Sequence, residues 1–212
     1  MYFLSWKSHE VNTFLYQKIV ENKVFLGSTD TVLGLMSAAT PQGRARLNSI
    51  KRRDDKPYII LIDSMNELEL FVDRAVQDRL LPFLEQIWPG PISVIMPAKS
   101  GIASFYVGNE QKIALRMPDH AGLLRVMHRC GPLFSTSANI SNSPTPDNII
   151  DIDPVIIEQV EAVVMDDGIE KKNIPSTIIE YKDGQCVIVR AGAFDSAALL
   201  KKYAMAIQGC EK

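Results

Sequence analysis

The chain of 212 residues is poor in the features that most directly reveal a function. Its three cysteines, Cys130, Cys186 and Cys210, are odd in number, far apart and without a Cys-x-x-Cys pair. They predict reduced thiols rather than a disulfide framework or a zinc site. No apolar run approaches the length of a membrane span, and the N-terminus becomes charged too early for a signal peptide. These absences predict a cytoplasmic protein with no membrane segment.

Excess charge and the common catalytic motifs are also missing. A net charge of −2 argues against coating nucleic acid through bulk charge, so any RNA contact needs a local patch. There is no phosphate loop, dinucleotide fingerprint or His-Glu-x-x-His motif, and Ser137 lacks the glycines of a hydrolase nucleophile elbow. His9, His120 and His128 have no partner at metal-ligand spacing, which predicts surface or core roles and no metal site. Binding by cations and hydroxyls is the chemistry that remains.

The order of apolar segments predicts an α/β fold in one domain, residues 1–212. Hydrophobic residues make up 46% of the chain and charged residues 23%, and no linker-like segment divides it. Short apolar runs alternate with amphipathic stretches. The strands are predicted at 24–26, 58–62, 92–96, 113–115, from 133 onward, 162–165, 177–181 and 187–190. The turn Lys182-Asp183-Gly184 joins the last two as a hairpin, which favours a mixed sheet.

Capping signals predict where several helices begin. They stand at Ser8, at Thr40 followed by Pro41, at Ser64 with Glu67 as a capping box, and at Asp119. The helix after Thr40 is predicted to run into Lys51. The segment Trp88-Pro89-Gly90-Pro91 is predicted to form a turn, with the indole filling the core beneath it.

Two polar clusters stand beside apolar runs that are predicted to be buried strands. One is Lys51-Arg52-Arg53 with Lys56, and the other is the segment 135–141, which is rich in serine and contains Asn139. Cations and hydroxyls at neighbouring strand ends predict an anion-binding crevice. Two simpler interpretations stay open: a solvated basic helix end, and serine and asparagine side chains that only bond their own backbone.

Eight short motifs follow one another as they do in YrdC-like domains. They are Ser28-Thr29-Asp30-Thr31-Val32-Leu33-Gly34-Leu35, Lys51-x-Arg53, Lys56-Pro57, Trp88-Pro89-Gly90-Pro91, Leu115-Arg116-Met117-Pro118, Ser137-x-Asn139-x-Ser141, Pro175-Ser176-Thr177 and Arg190-x-Gly192. The chain resembles the short, single-domain L-threonylcarbamoyladenylate synthases of this family. The match runs from about Val24 to Gly192, and the order of the motifs makes it specific although each alone is weak.

The resemblance implies a twisted mixed sheet with helices around a large concave basic cavity. It implies a nucleotidyltransferase that converts L-threonine, bicarbonate and ATP, with Mg²⁺, into threonylcarbamoyl-AMP and pyrophosphate. A separate tRNA threonylcarbamoyl transferase complex would then modify the adenosine next to the anticodon. Weak direct binding of tRNA or double-stranded RNA is a further expectation from the family.

The resemblance also implies a role for each matching residue. The polyphosphate would be held and the reaction promoted by Lys51 and Arg53. The other ATP-binding positions would be Lys56, Ser137, Asn139, Thr145 and Arg190. L-threonine would be bound by Thr31, Arg116, Ser135 and Ser176, with Arg116 pairing with its carboxylate.

Four positions beside the ligand loops depart from the family pattern. Ser28 and Ala191 stand where proline is usual, Leu33 replaces an aromatic residue, and Asn142 replaces glycine. Leu33 would remove an aromatic surface from the pocket, whereas Asn142 can still adopt a positive φ. A paralogue that adenylates a different carbamate therefore stays open.

Two further alternatives belong to other classes. A noncatalytic RNA-binding or ribosome-associated factor would keep the cations but lose the amino-acid residues, and the presence of Thr31, Arg116 and Ser176 favours the enzyme. A carbamoyl-adenylating domain of the hydrogenase-maturation type normally belongs to a larger chain with zinc-finger and acylphosphatase-like parts, which this sequence lacks.

Overall fold

The computed structural model describes residues 1–53, 56–108, 110–166 and 173–208. Its strands are β1 (Tyr2–Ser5), β2 (Phe25–Gly27), β3 (Gly34–Ala38), β4 (Ile59–Leu61), β5 (Ile92–Pro97), β6 (Lys112–Arg116), β7 (Leu133–Ser137), β8 (Ala162–Met165), β9 (Thr177–Lys182) and β10 (Gln185–Arg190). Its α-helices are α1 (Val11–Val20), α2 (Pro41–Lys51), α3 (Leu68–Phe71), α4 (Arg74–Leu84), α5 (Ala121–Cys130), α6 (Pro154–Gln159) and α7 (Ser196–Gln208).

All these strands form one mixed sheet, in the order β1-β8-β2-β3-β7-β4-β6-β5-β9-β10. The pairs β1/β8, β2/β8, β4/β6 and β5/β9 are parallel, and the other neighbours are antiparallel. The predicted α/β fold with a mixed sheet is confirmed, as is the hairpin of β9 and β10. Strands β1 and β3 and helices α6 and α7 were not predicted; β1 and β3 lack a clear alternation of apolar and polar residues.

Two apolar layers cover the opposite faces of the sheet. Successive residues of β4 separate between them: Ile60 packs in the larger cluster and Leu61 in the smaller one. This alternation follows from the period of two along a strand. Helices α1 and α5 contribute to the smaller cluster, whereas α4 and α7 pack on the larger. The central strands are therefore fixed on both faces, which gives their ends a rigid base.

The turn after α4 has the predicted architectural role. Trp88 is buried within the larger cluster, and its indole Nε1 donates to the carbonyl oxygen of Ile92 at 2.7 Å. The backbone N–H of Gly90 donates to the carbonyl oxygen of Met117 at 2.9 Å. The turn is thereby bonded to Met117, the residue directly after β6, which ends at Arg116.

One predicted helix cap is confirmed and another belongs to a neighbouring residue. Thr40 caps α2 by accepting a hydrogen bond from the N–H of Gly43 at 3.0 Å, and Pro41 is the first helical residue. Helix α5 is capped by the Nδ1 atom of His120, which accepts from the N–H of Leu123 at 3.1 Å, and not by Asp119. A histidine cap has no strong signature in sequence.

The two other predicted caps are wrong. The Ser8 hydroxyl accepts from the N–H of Glu10, but α1 begins at Val11 with no side-chain cap. Ser64 makes no side-chain cap, and the carboxylate of Glu67 accepts instead from the N–H of Asp63 at 2.8 Å. No capping box forms at the start of this 3₁₀ turn.

The described part of the chain contains two of the three cysteines. Cys130 and Cys186 are free thiols, and burial raises the pKa of each to about 12. Cys210 lies outside the described residues. Within the described ranges, no helix combines the length and apolar character needed to span a bilayer.

Candidate active site

A cavity of about 290 Å³ lies over one face of the central strands. Residues of neighbouring strands line it, among them Ile59 and Leu61 of β4 and Ser135 and Ser137 of β7. The cavity brings together eight of the residues predicted for the site: Thr31, Arg53, Arg116, Ser135, Ser137, Thr145, Ser176 and Arg190. These positions are spread over most of the chain, so the fold assembles them.

Arg116 ends β6 and is only 6% exposed. Its Nε donates to the carbonyl oxygen of Gly90 at 3.2 Å, and its Nη1 donates to the hydroxyl of Thr31 at 3.0 Å. Its Nη2 forms an ion pair with the carboxylate of Asp30. The backbone of Arg116 is fixed as well, because its carbonyl accepts from the N–H of Ile62 at 3.0 Å. The guanidinium is therefore held in one orientation at the cavity wall.

Arg190 ends β10 and reaches the same cavity from the far edge of the sheet. Its Nη2 donates to the carbonyl oxygen of Ser176 at 2.8 Å and to the Ser176 hydroxyl at 3.2 Å. The Ser176 and Ser93 hydroxyls share a hydrogen bond of 3.0 Å. Burial, and secondarily the charge of Arg116, lowers the pKa of Arg190. The two guanidiniums are therefore close enough to interact electrostatically.

Arg53 supplies a third guanidinium to the lining. Its Nη2 donates to the carbonyl oxygen of Pro57 at 2.7 Å, and its central carbon lies 4.7 Å from the centre of the Tyr58 ring. Burial lowers the pKa of Arg53, Tyr58 acts in the opposite direction, and Arg44 adds to the lowering. The buried Nε of Arg53 finds no hydrogen-bond partner among the described residues. The guanidinium as a whole lines the cavity, and its planar fork of N–H groups is suited to bind anionic oxygens.

Lys51 lies behind the cavity wall rather than in it. Its side chain is 2% exposed, and its ammonium donates to the carbonyl oxygens of Ser137 and Asn139 and to the side-chain oxygen of Asn139 at 3.1 Å. An ammonium has three donors, so all of them are used within the protein. Burial, followed by the charge of Arg53, lowers the pKa of Lys51 to about 8.

Asn139 is held as completely as Lys51. Its side-chain oxygen accepts from Lys51 and from the Ser137 hydroxyl, and its Nδ2 donates to the carbonyl oxygens of Ile140 at 3.0 Å and Ser143 at 2.6 Å. The two predicted polar clusters therefore meet, but Lys51 and Asn139 form hydrogen bonds with each other instead of facing the cavity. Lys56 is exposed and, like Lys51 and Asn139, is not part of the cavity lining.

Several lining residues had no role in the sequence interpretation. Thr29 donates its hydroxyl to the carbonyl oxygen of Val32 at 2.8 Å and accepts from the N–H of Thr31, which sets the shape of that loop. Tyr58 and Thr136 also line the cavity. The alternating threonines of the Ser28–Thr31 motif were the available signal for Thr29, whereas Tyr58 lay within an apolar run.

The departures from the family pattern have different structural settings. The Ser28 hydroxyl donates to the carboxylate of Asp166 at 2.8 Å and accepts from the Trp6 indole at 3.1 Å, so it adds a buried network of its own. Leu33 is buried within the larger apolar cluster and lines an adjoining second cavity rather than this one. Asn142 has a φ of 69°, as predicted. Nothing in the structure explains Ala191.

Asp30 pairs with Arg116 from outside the cavity lining. The cavity lining contains no aspartate or glutamate among the described residues, and no group of three or more metal-ligating side chains occurs there or elsewhere in the described ranges. A second cavity of about 430 Å³ shares Thr29, Thr31 and Val32 with the first. The crevice therefore offers guanidiniums and hydroxyls in one part and further space beside them.

The family model for Sua5, YciO and YrdC proteins, described as "telomere recombination", matches residues 17–192. The chain belongs to this family. A Methanocaldococcus jannaschii protein, whose name provisionally makes it a threonylcarbamoyl-AMP synthase, is 32% identical over 86% of each chain. A Pyrococcus abyssi protein named threonylcarbamoyl-AMP synthase is 28% identical over 82% of this chain. These names confirm the prediction of an enzyme family, as the motifs had indicated.

Two solved structures have a similar fold. The fold is similar to that of P. abyssi Sua5 complexed with L-threonine, with a TM-score of 0.83 and 25% identity over 95% of this chain. It is also similar to that of Escherichia coli YciO, with a TM-score of 0.78, 18% identity and coverage of 94% of this chain and 98% of that one. This chain spans 60% of the Sua5 structure and 52% of the curated P. abyssi protein.

Proposed function

We propose that this protein joins L-threonine, bicarbonate and ATP to form threonylcarbamoyl-AMP and pyrophosphate. The observation that carries the proposal is the shared cavity of Thr31, Arg116 and Ser176 with Arg53 and Arg190. Groups suited to an amino acid and groups suited to polyphosphate lie together in a family with relatives named threonylcarbamoyl-AMP synthase. The adjoining cavity offers room for the rest of a nucleotide.

The proposed chemistry needs no nucleophile from the protein. The amine of L-threonine attacks bicarbonate, and loss of water leaves a carbamate. A carbamate oxygen then attacks the α-phosphorus of ATP. The bond from that phosphorus to the bridging oxygen breaks, and its electron pair leaves with pyrophosphate. Such a reaction depends on holding the reactants in line and on neutralising phosphate charge.

The amino acid is assigned to the side of the cavity formed by Arg116. Its carboxylate would pair with the Arg116 guanidinium, which presents N–H groups in a planar fork suited to carboxylates. The hydroxyls of Thr31, Ser135 and Ser176 would complete the site. Support comes from the presence of all four residues in the lining.

The nucleotide is assigned to Arg53, Arg190, Ser137 and Thr145, which share the same cavity. The positive charges of Arg53 and Arg190 in the cavity lining favour binding of an anion. Exposed Lys56 is assigned to the solvent-facing end of the polyphosphate as a point charge. Lys51 and Asn139 are assigned to the support of the Ser137 loop, because their polar groups are already bonded.

Mg²⁺ is proposed to enter with ATP as part of the substrate. The lining of the first cavity offers hydroxyls and guanidiniums but no carboxylate among the described residues, so the phosphate oxygens would supply the charged ligands there. This division fits the usual behaviour of Mg²⁺, which keeps several waters and is often held by substrate phosphates.

The test is to incubate purified protein with ATP, bicarbonate and each amino acid, and to identify any adenylate by mass spectrometry. Pyrophosphate release that requires both bicarbonate and L-threonine supports the proposal. An adenylate formed from another amine would replace threonine with a different substrate. No adenylate from any amine, combined with RNA binding, would favour the noncatalytic factor instead.

We further propose that the protein performs only the adenylate step of tRNA modification. The net charge of −2 offers no excess of positive charge for a folded RNA. Pyrophosphate release should therefore proceed without RNA. Modified tRNA should appear only after the downstream transferase complex is added, and modification by this protein alone would contradict the division.

A further inference from the structure

Asp30 belongs to the Ser28–Thr31 motif but has no role in the proposed reaction. Its side chain is only 10% exposed. One carboxylate oxygen pairs with Nη2 of Arg116, and the other accepts from the backbone N–H of Asp119 at 3.1 Å. Asp30 is thus fixed by the last residue of β6 and by the segment that leads into α5. A buried carboxylate bound on both oxygens cannot easily move to another partner.

The contacts of Arg116 determine what it can still bind. A guanidinium has five N–H donors. In the described structure, three are used: Nε on Gly90, one N–H of Nη1 on Thr31 and one N–H of Nη2 on Asp30. One N–H remains on each terminal nitrogen. Two such donors suit the two oxygens of a single carboxylate.

Asp30 also changes the charge of the cavity. Arg116 and Arg190 are close enough for the charge of the first to lower the pKa of the second. Both would attract phosphate if neither had an anionic partner. Because Asp30 neutralises Arg116, the uncompensated cations of the lining are Arg53 and Arg190, judged from the described residues.

We propose that Asp30 is a positioning residue that orients Arg116 toward the carboxylate of the amino acid and keeps it from the phosphates of the nucleotide. The inference rests on the proposed function, since it assumes that Arg116 binds an amino acid. Asp30 itself touches no substrate. Its effect is on which of two anions Arg116 accepts.

The test compares Asp30→Asn with wild type in the pyrophosphate-release assay, with L-threonine and ATP varied separately. The KM for L-threonine should rise by about 10- to 100-fold, the loss typical when the group orienting a metal-binding histidine is removed. The KM for ATP should stay unchanged or fall, because Arg116 becomes available to phosphate. Asp30→Glu, which keeps the charge, should recover part of the loss.

A matched control makes the same chemical change at an exposed pair. Asp78 pairs with Arg74 at 2.8 Å on the surface of α4, and Asp78→Asn should leave both KM values unchanged. A merely structural role for Asp30 would instead lower the melting temperature and raise both KM values together. That result, or an unchanged KM for L-threonine in Asp30→Asn, would overturn the inference.

The double variant tests whether Asp30 acts through Arg116. In an Arg116→Gln background, Asp30→Asn should add no further increase in the KM for L-threonine, whereas additive effects would contradict the inference. If Asp30→Asn fails to fold, Asp30→Glu must still raise the KM for L-threonine while leaving the KM for ATP unchanged. Calorimetric titration of L-threonine into wild type distinguishes a failure of the proposed function from a failure of the inference about Asp30. Absence of both binding and pyrophosphate release would overturn the proposed function, and normal wild-type behaviour with unaffected Asp30 variants would overturn only this inference.

Discussion

The ammonium of Lys51 donates a hydrogen bond of 3.1 Å to the side-chain oxygen of Asn139 from a position that is 2% exposed. These two residues belong to different sequence motifs and meet behind the wall of the candidate site. Lys51 also binds the carbonyl oxygens of Ser137 and Asn139, so one buried cation gathers the whole turn that follows β7. The cation most readily assigned to phosphate from sequence is therefore bound inside the protein.

Replacement of Lys51 by methionine should mainly destabilise the protein, and its effect on ATP binding should be indirect. The variant leaves buried carbonyl oxygens without donors, which costs about 1–3 kcal/mol for each unsatisfied group. We expect a lower urea midpoint for unfolding, and a rise in the KM for ATP because the Ser137 loop loosens. Urea denaturation and steady-state kinetics measure the two effects.

The control for this prediction is Lys201→Met, at an exposed position of α7. Surface substitutions of this kind usually change stability by less than about 0.5 kcal/mol. A Lys51→Met protein with wild-type stability and strongly reduced ATP affinity would show instead that Lys51 contacts the nucleotide directly.

The sequence predicted the strands well where their residues form an uninterrupted apolar run, and less well elsewhere. The mixed sheet followed from the hairpin of β9 and β10, and the start of α2 followed from Thr40 and Pro41. Strand β3 was missed because Gly34 and Ser37 interrupt its apolar pattern. The register of β3 against β7, which pairs Gly34 with Ser137, depends on long-range packing that no local pattern contains.

The candidate site was predictable as a set of residues but not as a geometry. Ordered motifs named Arg53, Arg116 and Arg190, and all three line one cavity. Which cations face the cavity depends on burial and on competition for donors. Lys51 and Arg53 are two residues apart, yet one is saturated by the protein and the other keeps an unpartnered donor. Spacing alone cannot distinguish these outcomes.

Glu67 should make stability depend on pH in an unusual direction. Burial, with a further contribution from Asp63, raises its pKa from 4.5 to about 7. Since the folded state binds the proton more tightly than the unfolded state, this contribution is complete below about pH 4.5 and is lost as pH rises through 7. The variant Glu67→Gln is neutral throughout and can still accept from the N–H of Asp63. It should therefore be more stable than wild type at pH 8 and nearly equal at pH 5.

Urea denaturation at several pH values checks this expectation, with the exposed Glu69→Gln as the matched control. Parallel stability profiles of wild type and Glu67→Gln between pH 5 and 8 would mean that the surroundings do not raise the pKa of the Glu67 carboxylate.

Replacement of Arg53 by alanine should reduce turnover by about 10²- to 10³-fold, the usual loss for one charge-stabilising group in a preorganised site. Arg53→Lys should recover only part of it, because lysine lacks the planar contact with Tyr58 and the fork that grips phosphate. The control is Arg129→Ala, where an exposed guanidinium lies 4.5 Å from the Tyr16 ring, outside the cavity lining. Wild-type turnover in Arg53→Ala would remove Arg53 from the site.

L-threonine should be preferred over L-serine by a moderate factor. The two amino acids differ by one methyl group, and an apolar wall of the kind formed by Val32 discriminates such a difference by about 10- to 200-fold. Competition kinetics with the two amino acids measure the ratio. Equal use of glycine, serine and threonine would contradict a dedicated threonine site and favour a paralogue with a different amine substrate.

Gly192 should tolerate no side chain, because the backbone of the site passes directly against it. A Cβ added there would lie 2.3 Å from the carbonyl oxygen of Pro175 and 2.5 Å from the backbone nitrogen of Thr177. Neither atom can turn aside as a flexible side chain can. The strain would displace Ser176, whose carbonyl oxygen and hydroxyl both accept from Arg190. Two proposed substrate contacts would therefore shift together.

The variant Gly192→Ala should lose about 1–3 kcal/mol of stability, as is typical of overpacked sites. Because Ser176 is assigned to the amino acid and Arg190 to the nucleotide, the KM values for L-threonine and ATP should both rise. This joint rise differs from the result expected for Asp30→Asn, where only the KM for L-threonine should rise. Gly108→Ala is the control, since its added Cβ would meet Pro57 only at 3.4 Å. Normal kinetics in a folded Gly192→Ala protein would show that the 175–177 segment can move without affecting either ligand, and would argue against Ser176 and Arg190 as binding residues.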